Sequence, residues 1–242
     1  MSIEFLYGFN TAEEVISAGR RRVLRLYLSR GEGGQRVRNL VALAREKGVA
    51  VDFCDQRTLE KLAKGGNHQG VMVEAEILGK LGVDEALALE KDLKKTIWAG
   101  LDGITDPMNL GAIIRSAACL GVSTIILPER RSAGLTPTAQ KAASGAVERL
   151  NVIEVVNLNQ TIIKLKEKGF WVYGMDMGGK PLPQADFTLP AFILIGSEGE
   201  GLHAKTREHC DEILSIPQKG GVESLNAGNA AAIAFYELSK KL

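Results

Sequence analysis

Apolar and polar positions alternate along the chain in two successive series. In the first, up to about residue 77, apolar positions at helical spacing alternate with strand-like apolar runs. This pattern predicts helices at residues 11–18, 36–47 and 58–64, and strands at residues 23–29, 49–54 and 70–77. The first series therefore predicts a small α/β unit.

The second series begins at Ile97 and consists of short, continuous apolar runs separated by amphipathic stretches. It predicts strands at residues 97–102, 122–128, 152–156, 170–175, 192–197 and 213–217. The helices are expected at residues 107–120, about 137–147, 158–168 and 202–209, with an alanine-rich helix at the end. Such strands indicate a parallel sheet covered on both faces. Ligands of these sheets bind at the carboxyl ends of the strands, so we expect the functional residues there.

The segment between the two series is charged, contains two glycines and has only weak helical periodicity, which is typical of a linker. We therefore predict a first domain at residues 1–77, a linker at 78–95 and a second domain at 96–242. Together they give an α/β protein in two parts.

Composition places the chain among ordinary globular proteins, with 45% hydrophobic and 24% charged residues in a length of 242. It contains no apolar run of the ~18 residues that a membrane span needs, and its first ten residues lack the features of a secretory signal. We therefore expect a cytoplasmic protein. The three cysteines form no CxxC pair and the histidines lack a helical ligand spacing, so no metal site is expected.

The net charge is only +1, so any nucleic-acid surface must come from local clustering of charge. One such cluster lies in "GRRRVLRLYLSR", residues 19–30, and includes Arg20, Arg21, Arg22 and Arg25. Two interpretations stay open for it. The arginines are either a solvated helix end or a patch that contacts phosphate.

The first of three unusual strand ends reads "DPMNLGAIIRSA", residues 106–117. Asn109 falls at the start of a predicted helix after Pro107, and Arg115 lies within an otherwise apolar helix. Burial of an unpaired arginine is costly, so Arg115 either faces a cleft and an anion or extends to a carboxylate at the rim.

The other two strand ends are rich in glycine or alanine. "GSEGEGL", residues 196–202, carries Glu198 and no lysine, which argues against a phosphate-binding loop. The loop either approaches a ligand with hydroxyls or an amine or is only a tight turn. "IPQKGGVESLNAGNAAAIAFYE", residues 216–237, places Ser224 and Asn226 before an alanine-rich helix. Ser224 is either a helix N-cap or part of a site, and the small residues after Asn226 permit close backbone approach.

Taken in this order, the three stretches resemble the signature motifs of the SpoU (TrmH) family of RNA ribose methyltransferases, over residues 96–242. The first part, ending in "NHQGVMVEAEI" at residues 67–77, is similar to the L30-like substrate-binding domain of bacterial 23S rRNA guanosine 2′-O-methyltransferases. The resemblance implies a methyltransferase domain with a deep trefoil knot at its C-terminal end, an exception to the rule against knots. It also implies S-adenosylmethionine as methyl donor, an RNA substrate and a homodimer formed through the knotted domain.

The resemblance further implies roles for individual residues. The cofactor would be lined by Gly174, Gly196, Ile216 and Leu225. The catalytic positions that match the family are Asn109, Arg115, Glu198, Ser224 and Asn226. A guanidinium is a poor base, so we interpret Arg115 as a clamp for the phosphate of the target nucleotide. The arginines Arg20, Arg21, Arg22 and Arg25 would grip the RNA.

Other functions remain open at this stage. The substrate is expected to be a guanosine of 23S rRNA, with another rRNA or tRNA nucleotide as an alternative. A non-catalytic RNA-binding protein of ribosome assembly is a second possibility. A nucleotide-dependent oxidoreductase is disfavoured because the dinucleotide fingerprint GxGxxG is missing.

Overall fold

A computed structural model describes residues 2–31, 33–221 and 224–242 of the chain. Val222 and Glu223 of the third motif lie outside the described residues. The chain divides into two compact units. The first contains the residues up to Gly79 together with Leu135–Arg149, and the second contains Lys80–Gly134 and Leu150–Leu242. The predicted domain boundaries at 77 and 96 stay a prediction.

The secondary structure alternates between strands and helices. The strands are β1 (Ile3–Tyr7), β2 (Val23–Ser29), β3 (Ala50–Cys54), β4 (Val71–Glu76), β5 (Ile97–Asp102), β6 (Thr124–Pro128), β7 (Asn151–Val155), β8 (Trp171–Pro181), β9 (Ala191–Gly196) and β10 (Glu212–Ser215). The helices are α1 (Phe9–Ala18), α2 (Gln35–Glu46), α3 (Gln56–Ala63), α4 (Val83–Leu89), α5 (Pro107–Cys119), α6 (Pro137–Ala142), α7 (Leu158–Glu167), α8 (Ala204–Glu208) and α9 (Ala227–Ser239).

The first unit contains a four-stranded sheet in the order β1-β4-β2-β3. β4 pairs antiparallel with both β1 and β2, and β2 pairs parallel with β3. One buried cluster joins Leu6, Val15 and Leu26, while a second forms around Leu59 and Met72. β1 was not predicted, because a five-residue run is too short to show a period and its pairing with β4 is a long-range contact.

The predicted helix at residues 137–147 is shorter than expected. α6 ends at Ala142, and a 3-10 turn at Ala146–Glu148 follows after Gly145. Gly145 has a φ of 83°, and a Cβ atom there would lie 2.4 Å from the Cβ of Glu14 in α1. A positive φ and this close approach to α1 explain why the helix cannot continue.

The second unit contains the predicted parallel sheet, in the order β10-β8-β9-β5-β6-β7 with every neighbouring pair parallel. All residues of the central strands β5 and β9 are buried, which explains their uninterrupted apolar sequences. This parallel α/β sheet confirms the predicted fold class. The trefoil knot implied by the resemblance stays a prediction.

Part of the predicted linker folds onto the second unit. α4 buries Ala86 in the same apolar cluster as Trp98. The carboxylate of Glu90 accepts hydrogen bonds from Trp98 Nε1 at 2.7 Å and from Ser123 Oγ at 2.6 Å. These bonds attach the segment to β5 and to the start of β6. Among the described residues, no helix combines the length and apolar character needed to cross a membrane.

Candidate functional site

The middle of β8 and the carboxyl ends of β9 and β10 surround a cavity of about 550 Å³ in the second unit. Its walls come from residues 175–178, 195–201 and 215–218 and from the segment that starts α9. Gly196 ends β9 where the chain turns back on itself: a Cβ atom there would lie 2.2 Å from the carbonyl carbon of Gly201. Only glycine fits this position, so the "GSEGEGL" loop is a cavity wall built on close backbone approach.

The structure brings most of the predicted cofactor residues to this cavity. Gly196, Ile216 and Leu225 line it, as do Glu198 and Ser224 from the predicted catalytic set. The lining that the structure describes does not include Gly174.

Gly174 is buried in β8 and packs against apolar side chains instead. A Cβ atom at Gly174 would lie 2.7 Å from the sulfur of Cys210. Burial raises the pKa of Cys210 to about 12, which disfavours the reactive thiolate form. The neighbouring Met175 and Asp176 of β8 line the cavity in its place.

Asn226 is the N-cap of α9. Its side-chain Oδ1 accepts hydrogen bonds from the backbone N–H groups of Gly228 at 2.9 Å and Asn229 at 3.3 Å. The alternative interpretation of Ser224 as the N-cap is therefore wrong, because the N-cap is Asn226, two residues later. Ser224 instead lines the cavity.

The same asparagine joins the first and second motifs. Because both cap bonds use Oδ1, its Nδ2 must be the donor on the other side of the amide. Nδ2 donates to Asn109 Oδ1 at 2.8 Å and to Glu198 Oε2 at 3.4 Å. We call Asn109, Glu198 and Asn226 the Asn226 cluster. It connects α5, the loop after β9 and the start of α9.

Asn109 is held in place by the start of its own helix. Asp106 caps α5 by accepting hydrogen bonds from the N–H groups of Met108 and Asn109, each at 3.1 Å, and Pro107 occupies the first turn. The Oδ1 of Asn109 accepts from Asn226, so its amide nitrogen points away from that contact. A hydrogen-bond donor is thereby presented beside Glu198.

Arg115 lies elsewhere on the same helix. It is six residues beyond Asn109, about 9 Å along the helix axis. It is exposed, in a row with Met108, Ala112 and Cys119, which are also exposed. The structure therefore does not bury Arg115, and its contact with an anion in a cleft stays a prediction.

Two carboxylates, Asp102 at the end of β5 and Asp176 within β8, were missed by the sequence analysis. Asp176 lines the cavity, is hydrogen-bonded to Arg207 and accepts from the N–H of Met177 at 2.8 Å. Asp102 ends β5, and both of its oxygens bind His203, through the backbone N–H at 2.9 Å and Nδ1 at 2.8 Å. Each aspartate comes directly after an apolar run of the sequence, "IWAGL" before Asp102 and "FWVYGM" before Asp176, and this was the signal that marked both positions.

The four predicted RNA-binding arginines fall into two groups in the first unit. Arg20 and Arg22 are exposed, and Arg25 is half-exposed with an ion pair to Asp52. The side chain of Arg21 is only 2% exposed. The guanidinium of Arg21 is therefore enclosed in the unit and is not part of an exposed cationic surface.

The partners of Arg21 explain its burial. Its Nε donates to Glu148 Oε1 at 3.0 Å, its Nη2 donates to Gln140 Oε1 at 3.1 Å, and its Nη1 forms an ion pair with Glu4. We call these four residues the Arg21 cluster. It ties the segment that contains α6 to β1 and to the turn before β2, which accounts for the inclusion of that segment in the first unit.

Across the described ranges, no group of three or more His, Cys, Asp or Glu side chains is placed to hold a metal ion. The site itself offers hydrogen-bond donors, carboxylates and a cavity with apolar and backbone walls.

Both parts of the chain match known protein families. Residues 97–236 match the model of the SpoU rRNA Methylase family, and residues 5–79 match the model described as RNA 2'-O ribose methyltransferase substrate binding. The 23S rRNA (guanosine-2'-O-)-methyltransferase RlmB of Pseudomonas syringae pv. tomato is 36% identical, over 97% of this chain and 94% of that protein.

Two further proteins extend the comparison. An uncharacterised tRNA/rRNA methyltransferase of Synechocystis sp. is 38% identical over 99% of this chain, which spans 63% of that longer protein. The SpoU methyltransferase AviRb from Streptomyces viridochromogenes, solved in complex with AdoMet, has the same fold. Its TM-score is 0.80 at 24% identity, with 98% of this chain and 90% of that chain covered. On the family match and the full-length similarity to RlmB, the chain belongs to the SpoU rRNA methylase family.

Proposed function

We propose that this protein transfers a methyl group from S-adenosylmethionine to the ribose 2′-hydroxyl of a guanosine in 23S rRNA, in the cytoplasm. The observation that carries the proposal is the Asn226 cluster, which joins all three motifs at the edge of the cavity. The RlmB relatives support the choice of 23S rRNA and of guanosine.

The residues around the cavity fit the proposed cofactor. Its volume of about 550 Å³ lies in the range of small-ligand sites. Ile195, Ile216 and Leu225 offer apolar contact for an adenine ring, while the carboxylate of Asp176 can accept hydrogen bonds from ribose hydroxyls or an amine. When bound, S-adenosylmethionine supplies an electrophilic methyl carbon.

The Asn226 cluster then has the role of orienting the target ribose. The Asn109 amide nitrogen can donate to a ribose oxygen, and Glu198 can accept the proton of a hydroxyl group. Asn226 holds both side chains while its other amide atom caps α9. Because the methyl donor is already reactive, alignment of the hydroxyl is the main task left to the protein.

We propose that Arg115 binds a phosphate of the substrate RNA. Arg115 is exposed on α5, and arginine forms paired hydrogen bonds with phosphate that lysine cannot reproduce. Arg115→Lys is therefore expected to lose at least about 90% of methyl transfer while its dissociation constant for S-adenosylmethionine, measured by calorimetry, stays within a factor of two. Near-normal turnover in this variant would count against the clamp.

The first unit is proposed to bind the RNA substrate. Its match to a substrate-binding model supports this role, and the exposed Arg20 and Arg22 with the half-exposed Arg25 supply positive charge. Arg21 is left out of this surface because its guanidinium is buried.

A homodimer is proposed through α5 and α9, which pack together in the second unit. These helices expose apolar side chains: Met108 is 58% exposed, Ile233 39% and Tyr236 55%. Contact between two copies would bury this surface. Sedimentation equilibrium is expected to give twice the chain mass, and an Ile233→Glu variant is expected to give the single mass.

The experiment that tests the function is transfer of labelled methyl groups from S-adenosylmethionine to unmodified 23S rRNA fragments. The modified ribose is then mapped by its resistance to alkali. A single mapped guanosine is the expected result. Binding of RNA without binding of S-adenosylmethionine would overturn the proposal in favour of a non-catalytic RNA-binding protein.

A further inference from the structure

A second cavity, of about 410 Å³, lies in the first unit between α3 and β4. It is formed by the loop 65–70, "GGNHQG", together with Gln56 and Glu60 of α3. Every residue of its described lining is polar or glycine, in contrast to the partly apolar cavity of the second unit. A polar cavity of this size in a substrate-binding unit calls for a ligand with several hydrogen-bonding groups.

His68 fixes the shape of the loop. Its ring is buried, and Nδ1 accepts a hydrogen bond from the N–H of Gly70 at 3.1 Å. Nδ1 therefore carries no proton, so the proton of the neutral ring is on Nε2. The nearest atom to Nε2 is the amide nitrogen of Gln56, at 3.5 Å. Two N–H groups cannot form a hydrogen bond with each other, so we assign the flipped amide, in which the oxygen of Gln56 accepts from Nε2. The amide nitrogen of Gln56 is thus directed away from the ring.

Two side chains of the cavity remain available to a ligand. Within the described residues, neither the carboxylate of Glu60 nor the amide of Asn67 has a hydrogen-bond partner. Both residues are exposed, and the backbone carbonyl of Asn67 is held by the ammonium group of Lys141 from the same unit. The loop is therefore anchored through its backbone while its side chains face the solvent.

α3 carries a carboxylate on the face that lines the cavity and cations on the adjacent face. Gln56 and Glu60 are four residues apart and face the cavity. On the adjacent face lie the exposed cations Arg57 and Lys61, followed by Lys64 directly after the helix. Phosphate groups are attracted to the cations and repelled by the carboxylate of Glu60. This arrangement suits a nucleotide whose phosphate lies beside the helix and whose base enters the cavity.

We propose that the cavity at loop 65–70 binds an unpaired guanine base of the RNA substrate. A carboxylate accepts best from two adjacent donors, and guanine has such a pair at N1–H and the N2 amino group. The amide nitrogens of Gln56 and Asn67 can donate to the O6 atom. Sequence-specific RNA recognition uses unpaired bases of this kind. The inference rests on the proposed function only in taking RNA as the substrate.

The test is binding of the full-length protein to labelled pentaribonucleotides UUGUU, UUAUU and UUCUU, followed by fluorescence anisotropy. The wild type is expected to bind UUGUU about ten-fold more tightly than either of the others. Glu60→Gln removes the charge and keeps the shape, so the preference should fall to within two-fold. The matched control is Glu46→Gln, which makes the same change at an exposed position in α2 and should keep the full preference.

A second variant and a second assay separate the outcomes. Arg57→Ala should weaken the binding of all three pentamers by a similar factor. Equal affinity of the wild type for the three pentamers, or a guanine preference that survives in Glu60→Gln, overturns the inference. If methyl transfer to 23S rRNA is intact in that case, the proposed function is supported and only the guanine site is rejected. If methyl transfer is absent but the preference for UUGUU is lost in Glu60→Gln, guanine binding in the cavity is supported and the proposed function is contradicted.

Discussion

The Asn226 cluster and the Arg21 cluster are both built from polar residues far apart in the sequence, yet they differ in burial. Asn226 and Asn109 are separated by 117 residues, and Arg21 and Glu148 by 127. Asn226 is exposed and Asn109 half-buried, whereas the side chains of Arg21 and Glu148 are 2% and 1% exposed. Residue type alone does not separate chemistry from architecture, because burial decides which groups can reach a substrate.

The buried cluster has little tolerance for change. Glu148 Oε2 is buried and has no hydrogen-bond partner among the described residues, so Arg21 is the group that offsets its charge. Removal of one partner from a buried ion pair leaves an uncompensated charge. We therefore expect the largest effects on stability here and the largest effects on catalysis in the exposed cluster.

Arg21→Ala gives the largest expected effect. The loss of a buried charge partner should lower the free energy of unfolding of the first unit by about 3–5 kcal/mol. Hydrogen exchange of the β4 amides measures this directly and should become faster, while affinity for S-adenosylmethionine in the second unit stays unchanged. Protection of β4 equal to that of the wild type would show that the cluster contributes nothing.

Asn226→Asp is expected to have a smaller effect, confined to catalysis. Aspartate keeps the oxygen that caps α9, so stability should change by less than about 1 kcal/mol. It loses the Nδ2 donor to Asn109 and places a second carboxylate beside Glu198. Methyl transfer should fall at least ten-fold. Loss of stability without loss of transfer would mean that Asn226 only caps the helix.

Arg25→Ala should give the smallest effect. Its ion pair with Asp52 is 43% and 44% exposed, so water and salt screen the attraction. The hydrogen bond to Asp52 raises the pKa of Arg25, and arginine is charged at any working pH in any case. The unfolding midpoint should shift far less than in Arg21→Ala, and the shift should shrink further as salt is added. A loss comparable to that of Arg21→Ala would remove the distinction between buried and exposed pairs.

The parallel sheet and the order of its elements could be predicted because buried strands have uninterrupted apolar sequences. The three motifs at strand ends also indicated which loops form the site, and Asn109, Glu198, Ser224 and Asn226 were found on them. A motif gives position along the chain, however, and not the direction of a side chain. For that reason the exposed placement of Arg115 could not be derived.

Long-range pairing accounts for what was missed. The burial of Arg21 depends on Glu148 and Gln140, more than a hundred residues away, and nothing in "GRRRV" distinguishes Arg21 from its neighbours. Gly174 was expected at the cofactor from the family resemblance, whereas in the structure it packs close to the sulfur of Cys210. In each case the surroundings of the residue depend on a contact that is distant in the sequence, so its residue type alone could not predict them.

The central claim is that the Asn226 cluster is the catalytic centre, and Asn109→Ala tests it most directly. Asn109 is not part of the described cavity lining, so its removal leaves the proposed cofactor contacts intact. The measurement is single-turnover methyl transfer to a 23S rRNA fragment, together with calorimetric binding of S-adenosylmethionine. The account predicts a rate at least ten-fold lower with an unchanged dissociation constant. A wild-type rate in Asn109→Ala would contradict it.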